Sequence, residues 1–194
     1  MIDYFERQMR IIYGSFEKVQ QTEFDRLTAV CTGTKKDGGK IIASGLGKNV
    51  PICEKFVGTM NSLGLDARFL HTNTAIHGDL GMITPRDTVL LLSKSGNTWE
   101  SVLLAEQLCA RKTETWLLSF AKESRLATML KNQLILELDH EGDQWNIVPN
   151  CSTAIYLILL QGLAMRIAES AGVQLCDFRA NHPGGGIGEI LRRR

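Results

Sequence analysis

The 194-residue sequence lacks an excess of either charge, a signal-like leader, a membrane-length apolar run and any closely spaced pair of cysteines. Lys and Arg number 22 against 21 Asp and Glu, a formal charge of +1, so there is none of the positive field that nucleic acid or an acidic membrane surface requires. The closing arginines, Arg192, Arg193 and Arg194, read as a solvated tail. The longest uninterrupted apolar stretch, Ala154 to Leu160, is far short of the roughly 20 residues that cross a bilayer. Asp3 stands where a secretory leader carries basic residues. The cysteines Cys31, Cys53, Cys109, Cys151 and Cys176 are odd in number and widely spaced, which excludes a readable disulfide framework or zinc ribbon and fits a reducing compartment. The histidines His71, His77, His140 and His182 form no H-x-H or H-x-x-x-H pair, so no sequence-local metal site is supported. These absences predict a cytoplasmic protein of about one domain with no metal, nucleic-acid or membrane partner.

From Ile2 to about Thr34, apolar residues recur at spacings of three and four among charged neighbours, which predicts an amphipathic helical arm broken near Gly14 or Thr22. Lys35 to Gly39 reads as a turn that closes this arm, residues 1–37, and opens the main unit, residues 38–194. Short apolar runs then follow at Lys40 to Ser44, Ala67 to His71, Thr88 to Ser93, Thr115 to Ser119 and Leu134 to Asp139. Candidate helices fall between them at about 48–63, 98–111 and 124–131, and a long apolar one at about 152–171. Five strands apolar on both faces, alternating with helices, predict an α/β fold: a doubly wound parallel sheet flanked by helices. In such folds ligands sit beyond the carboxyl ends of the strands, so the chemistry belongs in the loops that follow them.

The first strand runs through Ser44-Gly45-Leu46-Gly47-Lys48 into a helix. This is neither a dinucleotide fingerprint, because Val50 holds the third Gly position, nor a Walker A loop, because Asn49 replaces its Ser or Thr. Lys48 at a helix start opposes the macrodipole unless an anion sits there; the alternative is an ordinary surface lysine. The third strand delivers Ser93-Lys94-Ser95-Gly96-Asn97-Thr98 directly into a helix. Hydroxyls, a flexible Gly and free helix N–H groups converge there as a phosphate monoester requires, although Asn97 with Glu100 also reads as a simple capping box. His77, between Gly and Asp residues, reads as a loop histidine open to acid–base work or to plain exposure. Glu141, within the acidic stretch Asp139 to Asp143, is either a general base or one of several solvated carboxylates. Asn181 to Gly188, carrying His182, is glycine-rich enough to be a loop folded over a site.

Together these stretches resemble the sugar isomerase (SIS) domain family, and within it the D-arabinose-5-phosphate isomerases. The resemblance spans nearly the whole chain through Gly45-Leu46-Gly47-Lys48, His77 to Met82, Ser93 to Glu100, Pro149 to Thr153 and His182 to Gly188. It implies a cofactor-free interconversion of D-ribulose 5-phosphate and D-arabinose 5-phosphate through a cis-enediol, supplying the lipopolysaccharide or capsule sugar Kdo. The family's functional positions fall on Lys48, His77, Glu100, Glu141 and His182. A sugar phosphate would be gripped by Ser93, Ser95 and Thr98, with Ser44, Gly45, Gly47, Gly96 and Asn97 around it. The resemblance also implies a homo-oligomer, dimer or tetramer, with sites shared between subunits, and names CMP-Kdo as a candidate inhibitor. Asn49-Val50 stands where the family usually has Ser-Gly, Lys94 where Asn is frequent, Asn97-Thr98 where Glu-Ser is, and Cys151 where a hydroxyl is common. The length fits an SIS-only form without CBS modules. Competing expectations are an isomerase of sedoheptulose 7-phosphate or a hexulose 6-phosphate, and a non-catalytic sugar-phosphate sensor.

Overall fold

The computed structural model describes residues 2–193, and Arg194 of the expected tail lies outside the described residues. Helices α1 (Ile2–Glu17) and α2 (Gln21–Lys36) lead into β1 (Ile41–Gly45), α3 (Asn49–Ser62) and β2 (Ala67–His71). Two short 3-10 turns, Ala75–His77 and Asp79–Met82, precede β3 (Thr88–Leu92), α4 (Trp99–Ala110), β4 (Glu114–Ser119), α5 (Arg125–Met129) and β5 (Asn132–Ile135). The chain ends in α6 (Cys151–Ser170), α7 (Leu175–Ala180) and α8 (Gly185–Arg192). The sheet has the order β2-β1-β3-β4-β5 and every pairing is parallel, as the alternation of apolar runs and helical segments predicted.

The apolar strands follow from the two faces they bury. Along β3, Leu90 and Leu92 point into a core shared with α2, α3 and α6, while Val89 and Leu91 point into a second core with α4 and α5. Alternate side chains of a strand face opposite ways, so a sheet covered on both sides favours apolar residues at every position and admits a polar one, such as Ser44, only where it finds a hydrogen-bond partner. Helix α6 is long and apolar enough to cross a membrane by length and composition, but it is the core helix here, burying Ile155, Tyr156, Leu160, Leu163 and Ile167.

The break in the N-terminal arm lies at Lys18–Gln20, beside Thr22 as expected. Lys18 and Val19 donate to Ser15 O and Phe16 O as α1 tightens, and the extended Gln20 offers its carbonyl to Glu23 and Phe24 to start α2. The fifth strand is Asn132–Ile135 instead of Leu134 to Asp139: β4 stops at Ser119, whose carbonyl takes the Leu136 N–H, and no further ladder partner follows. The acidic stretch therefore sits in the long β5–α6 loop. The glycine-rich C-terminal segment is only partly a loop, because Gly185–Arg192 is helical and buries Leu191.

Asp87 anchors the entry to the two central strands. Its carboxylate accepts from the backbone N–H of Lys40 (2.7 Å) and of Thr84 (2.7 Å) and pairs with the Lys40 ammonium (2.9 Å). Burial alone would raise its pKa, but these donors together hold the carboxyl below its ordinary value. A depressed native pKa contributes stability above the unfolded value, and that stability disappears as pH falls through the native one. Asp87→Ala should cost about 3 kcal/mol at neutral pH by chemical denaturation, a loss that shrinks below about pH 4.

Candidate active site

Strand order reverses between β1 and β3: the chain leaves β1 through α3 toward β2, and leaves β3 through α4 toward β4. The two exits diverge and leave a crevice at the carboxyl ends of these strands, the usual place for a ligand in this architecture. A cleft of about 320 Å³ lies there, lined by Leu46 to Asn49, by Leu92 to Ser95 with Thr98 and Ser101, and by Pro149, Ser152 and Thr153. The amino ends of α3, α4 and α6 all border it; α4 presents its first N–H groups to the cleft, whereas those of α3 are taken by the Leu46 and Gly47 carbonyls and those of α6 by Glu141. Lys48 on the rim adds a positive charge to the cleft.

Gly45 and Gly96 set its walls. A Cβ on Gly45 would stand 2.8 Å from Asn49 Cβ and 3.3 Å from Cys53 Sγ, so glycine is what lets the first turn of α3 lie against β1. Gly96 has φ +62°, and a Cβ there would collide with the Ser124 side chain at the start of α5. Its N–H donates to Ser93 Oγ (3.2 Å), curling the Ser93–Thr98 turn into a concave nest. Gly96→Ala should therefore lower stability by about 1–3 kcal/mol and weaken inorganic phosphate binding roughly tenfold or more, read by thermal melting and calorimetric titration.

The carboxylate of Glu141 lies fully buried beside this cleft. Its Oε2 accepts from the backbone N–H of Asn150 (3.0 Å) and Ser152 (2.9 Å); its Oε1 accepts from Ser152 Oγ (2.7 Å) and from the Lys94 ammonium. Burial by itself would raise its pKa, yet Lys94 and the Ser152 and Asn150 donors outweigh that effect and hold the group below its ordinary value. Glu141 is thus a charged, immobilised anion and not one of several solvated acids.

The residues singled out in the sequence separate by location. Gly47, Lys48, Ser93, Ser95 and Thr98 line the cleft. Ser44 is buried within β1 and bonds to Thr72 Oγ1 (3.0 Å), behind the cleft wall. Asn97 does not cap α4, whose N-cap is Thr98; its side-chain carbonyl accepts from Arg125 N (2.9 Å) and its amide donates to Ser95 O (3.1 Å), bracing the nest from outside. Glu100 is half-buried in the first turn of α4, outside the cleft lining, and the capping box expected for it is absent. His77 is exposed in the loop beyond β2, on the same edge of the sheet as the cleft but not lining it.

His182 is elsewhere. It follows Asn181, whose side chain donates to Ser62 O at the far end of α3, and it stacks on Phe178 at 4.0 Å between ring centroids. The 14 residues of α3 put that end roughly 20 Å from the cleft at about 1.5 Å per residue. Sequence reading missed Ser101, Ser152 and Thr153 as cleft residues. The signal was available in Cys151-Ser152-Thr153, a hydroxyl-bearing helix start of the same kind as Ser93 to Thr98. Among the described residues no three His, Cys, Asp or Glu side chains gather as metal ligands.

Fold and cleft define a doubly wound α/β domain with a polar cleft at its topological switch point. A family model of the SIS domain matches residues 36–164, and the chain belongs to the SIS family. It is 34% identical over 164 residues to an arabinose 5-phosphate isomerase, KdsD, of Yersinia pestis, covering 84% of this chain and 50% of that protein. It is 36% identical over 155 residues to KdsD of Pseudomonas aeruginosa, covering 79% and 47%. The chain thus spans about half the length of the curated relatives it matches. A solved structure of an Escherichia coli CFT073 protein in complex with arabinose 5-phosphate superposes with a TM-score of 0.86 at 26% identity, covering 93% of this chain and 94% of that one.

Proposed function

We propose that this protein is a cytoplasmic, cofactor-free aldose–ketose isomerase that interconverts D-ribulose 5-phosphate and D-arabinose 5-phosphate and supplies Kdo synthesis. The observation that carries the reading is the convergence of three helix amino ends, the Ser93–Thr98 nest, Lys48 and the buried Glu141 on one cleft. The names of the relatives from Yersinia pestis and Pseudomonas aeruginosa, and the arabinose 5-phosphate complex of the Escherichia coli protein, support the choice of sugar.

Arabinose 5-phosphate closes to a furanose through O4, whereas ribulose 5-phosphate, with its 5-hydroxyl esterified, does not. The enzyme therefore opens the ring, removes the C2 proton, holds the cis-enediolate, moves the O2 proton to O1 and returns a proton to C1, leaving the carbonyl at C2. Ser93, Ser95 and Thr98 grip the phosphate with the α4 amino end, and Lys48 faces the developing oxyanion. His77 or Glu141 carries the proton between C2 and C1, Glu100 orients hydroxyls or a neighbouring base, and His182 assists ring opening or the second proton transfer.

His182 lies too far from its own chain's cleft for that role, so a second copy delivers it. The apolar side chains that α1 and α6 leave exposed, Phe5, Met9, Tyr13, Ile158 and Met165 among them, offer surface for a homo-oligomer. The expected N-terminal arm is helical, but its second helix α2 packs Leu27 and Cys31 into the main core, so arm and SIS domain fold as one unit, and CMP-Kdo is a candidate inhibitor. Incubation with arabinose 5-phosphate in deuterium oxide should place deuterium at C2. Absence of exchange would favour a sugar-phosphate sensor, and faster turnover of sedoheptulose 7-phosphate or a hexulose 6-phosphate would reassign the substrate.

A further inference from the structure

The Lys94–Glu141 pair joins two loops that the fold brings together from 47 positions apart, and it presents an imbalance. Glu141 is fully buried, while the Lys94 side chain is 43% exposed and lines the anion cleft. Each Glu141 oxygen already accepts two hydrogen bonds, so neither has a free lone pair for a substrate proton. Of the four donors, the two backbone N–H groups are fixed by the start of α6 and the Ser152 hydroxyl is buried. Lys94 alone sits on a flexible stem with an open path into the cleft.

An arriving phosphate dianion enters the nest whose own chain carries Lys94, between Ser93 and Ser95. We propose that Lys94 is a cation shared in turn by Glu141 and the substrate's phosphate, so that filling the nest draws Lys94 off and frees Glu141 Oε1 to take a proton. Three donors remain on Glu141 after Lys94 leaves, which keeps its carboxylate in place while one lone pair opens toward the cleft. The proton that Oε1 then takes is the one leaving C2; the carboxyl exchanges it with water before a proton is delivered to C1 or back to C2. The ammonium passes from one anion to the other and leaves Glu141 a buried carboxylate held by three neutral donors, which raises its affinity for a proton. The inference rests on the isomerase reading for its proton step, but the exchange of Lys94 stands on geometry alone.

Other groups around Glu141 do not substitute for Lys94. Cys151 and Ser152 flank it on α6, and Cys151 has its thiol pKa raised by burial and by Glu141 itself. Asp139 and Asp143 are like charges in the same loop. Arg7 of α1 approaches His140 Nδ1 (3.4 Å), which also accepts the Gly142 N–H, and its charge acts on Cys151, but it makes no hydrogen bond or ion pair with Glu141.

The test titrates the Glu141 carboxyl by carbon-13 NMR on glutamate-labelled protein, assigned with Glu141→Gln, in wild type, Lys94→Met and Lys94→Arg, with and without inorganic phosphate. Phosphate should raise the wild-type midpoint by about one pH unit more than it raises that of Lys94→Met, because in the variant only direct repulsion is left. Phosphate affinity should fall about tenfold or more in Lys94→Met and recover in Lys94→Arg. Equal midpoint shifts in wild type and Lys94→Met, or unchanged phosphate affinity, would overturn the exchange. These readouts need no turnover, so a failure of the isomerase reading, seen as no deuterium at C2, is distinguishable from a failure of this one.

Discussion

Lys48→Ala and His182→Ala chains, each expected to lose roughly 100-fold or more in turnover, should recover activity when they are dissociated together and reassembled. The reason is positional. Lys48 lines the cleft of its own chain, whereas His182 is docked at the opposite end of α3 through Asn181 and Ser62. A site that uses both must draw them from different copies. In a mixed dimer, one site then carries both substitutions and the other carries neither. Random pairing of equal amounts leaves about a quarter of all sites intact, so activity should rise toward that fraction. Recovery near zero, with assembly verified by sedimentation, would place His182 outside the reaction or restrict each site to one chain. Heterodimers tagged on each chain and purified before assay should carry one working site in two, which separates poor assembly from poor chemistry.

Much of this arrangement was legible in the sequence, for reasons that also explain what was not. The run Ala67 to His71 and the turn Ser93 to Thr98 announce themselves locally, through strand periodicity and through hydroxyls placed at a helix start. Lys48 stands out because a lysine opposes the dipole of the helix it begins. The long-range partnership of Lys94 with Glu141 has no local signature: a lysine in a hydroxyl-rich turn and a glutamate among other acids each look solvated. Only the topology, which sets the β3–α4 loop against the β5–α6 loop, turns them into an ion pair with a buried carboxylate and a half-exposed ammonium. The same holds for the end of β5, which is fixed by where β4 stops and not by the apolar residues Leu136 and Leu138 that follow. Ser44 shows the opposite error. Its place at a strand end suggested a ligand contact, but the alternation of the strand turns its hydroxyl inward to Thr72.

Glu141→Gln should be the most damaging conservative substitution in the protein. The change keeps size and shape but makes one side-chain terminus a donor, and every direction around that carboxylate is already occupied by a donor. If the amide nitrogen takes the Oε2 position it faces the N–H groups of Asn150 and Ser152; if it takes the Oε1 position it faces the Lys94 ammonium and the Ser152 hydroxyl. The hydroxyl can rotate and Lys94 can swing to solvent, so the second orientation is the less costly. The loss is then about 2–3 kcal/mol of stability at neutral pH, for one charge-assisted bond removed and a donor left without a partner. The sign with pH follows from the depressed native pKa: the carboxylate stabilises the fold above its ordinary value of 4.5. That contribution vanishes as pH falls through the lower native value, so wild type and variant should converge in denaturation below about pH 4. Turnover should drop by roughly 100-fold or more, because an amide cannot accept the C2 proton, with KM changing less than kcat since the nest remains. A variant that keeps near-native kcat would leave His77 as the sole carrier of the proton and confine Glu141 to holding the β5–α6 loop.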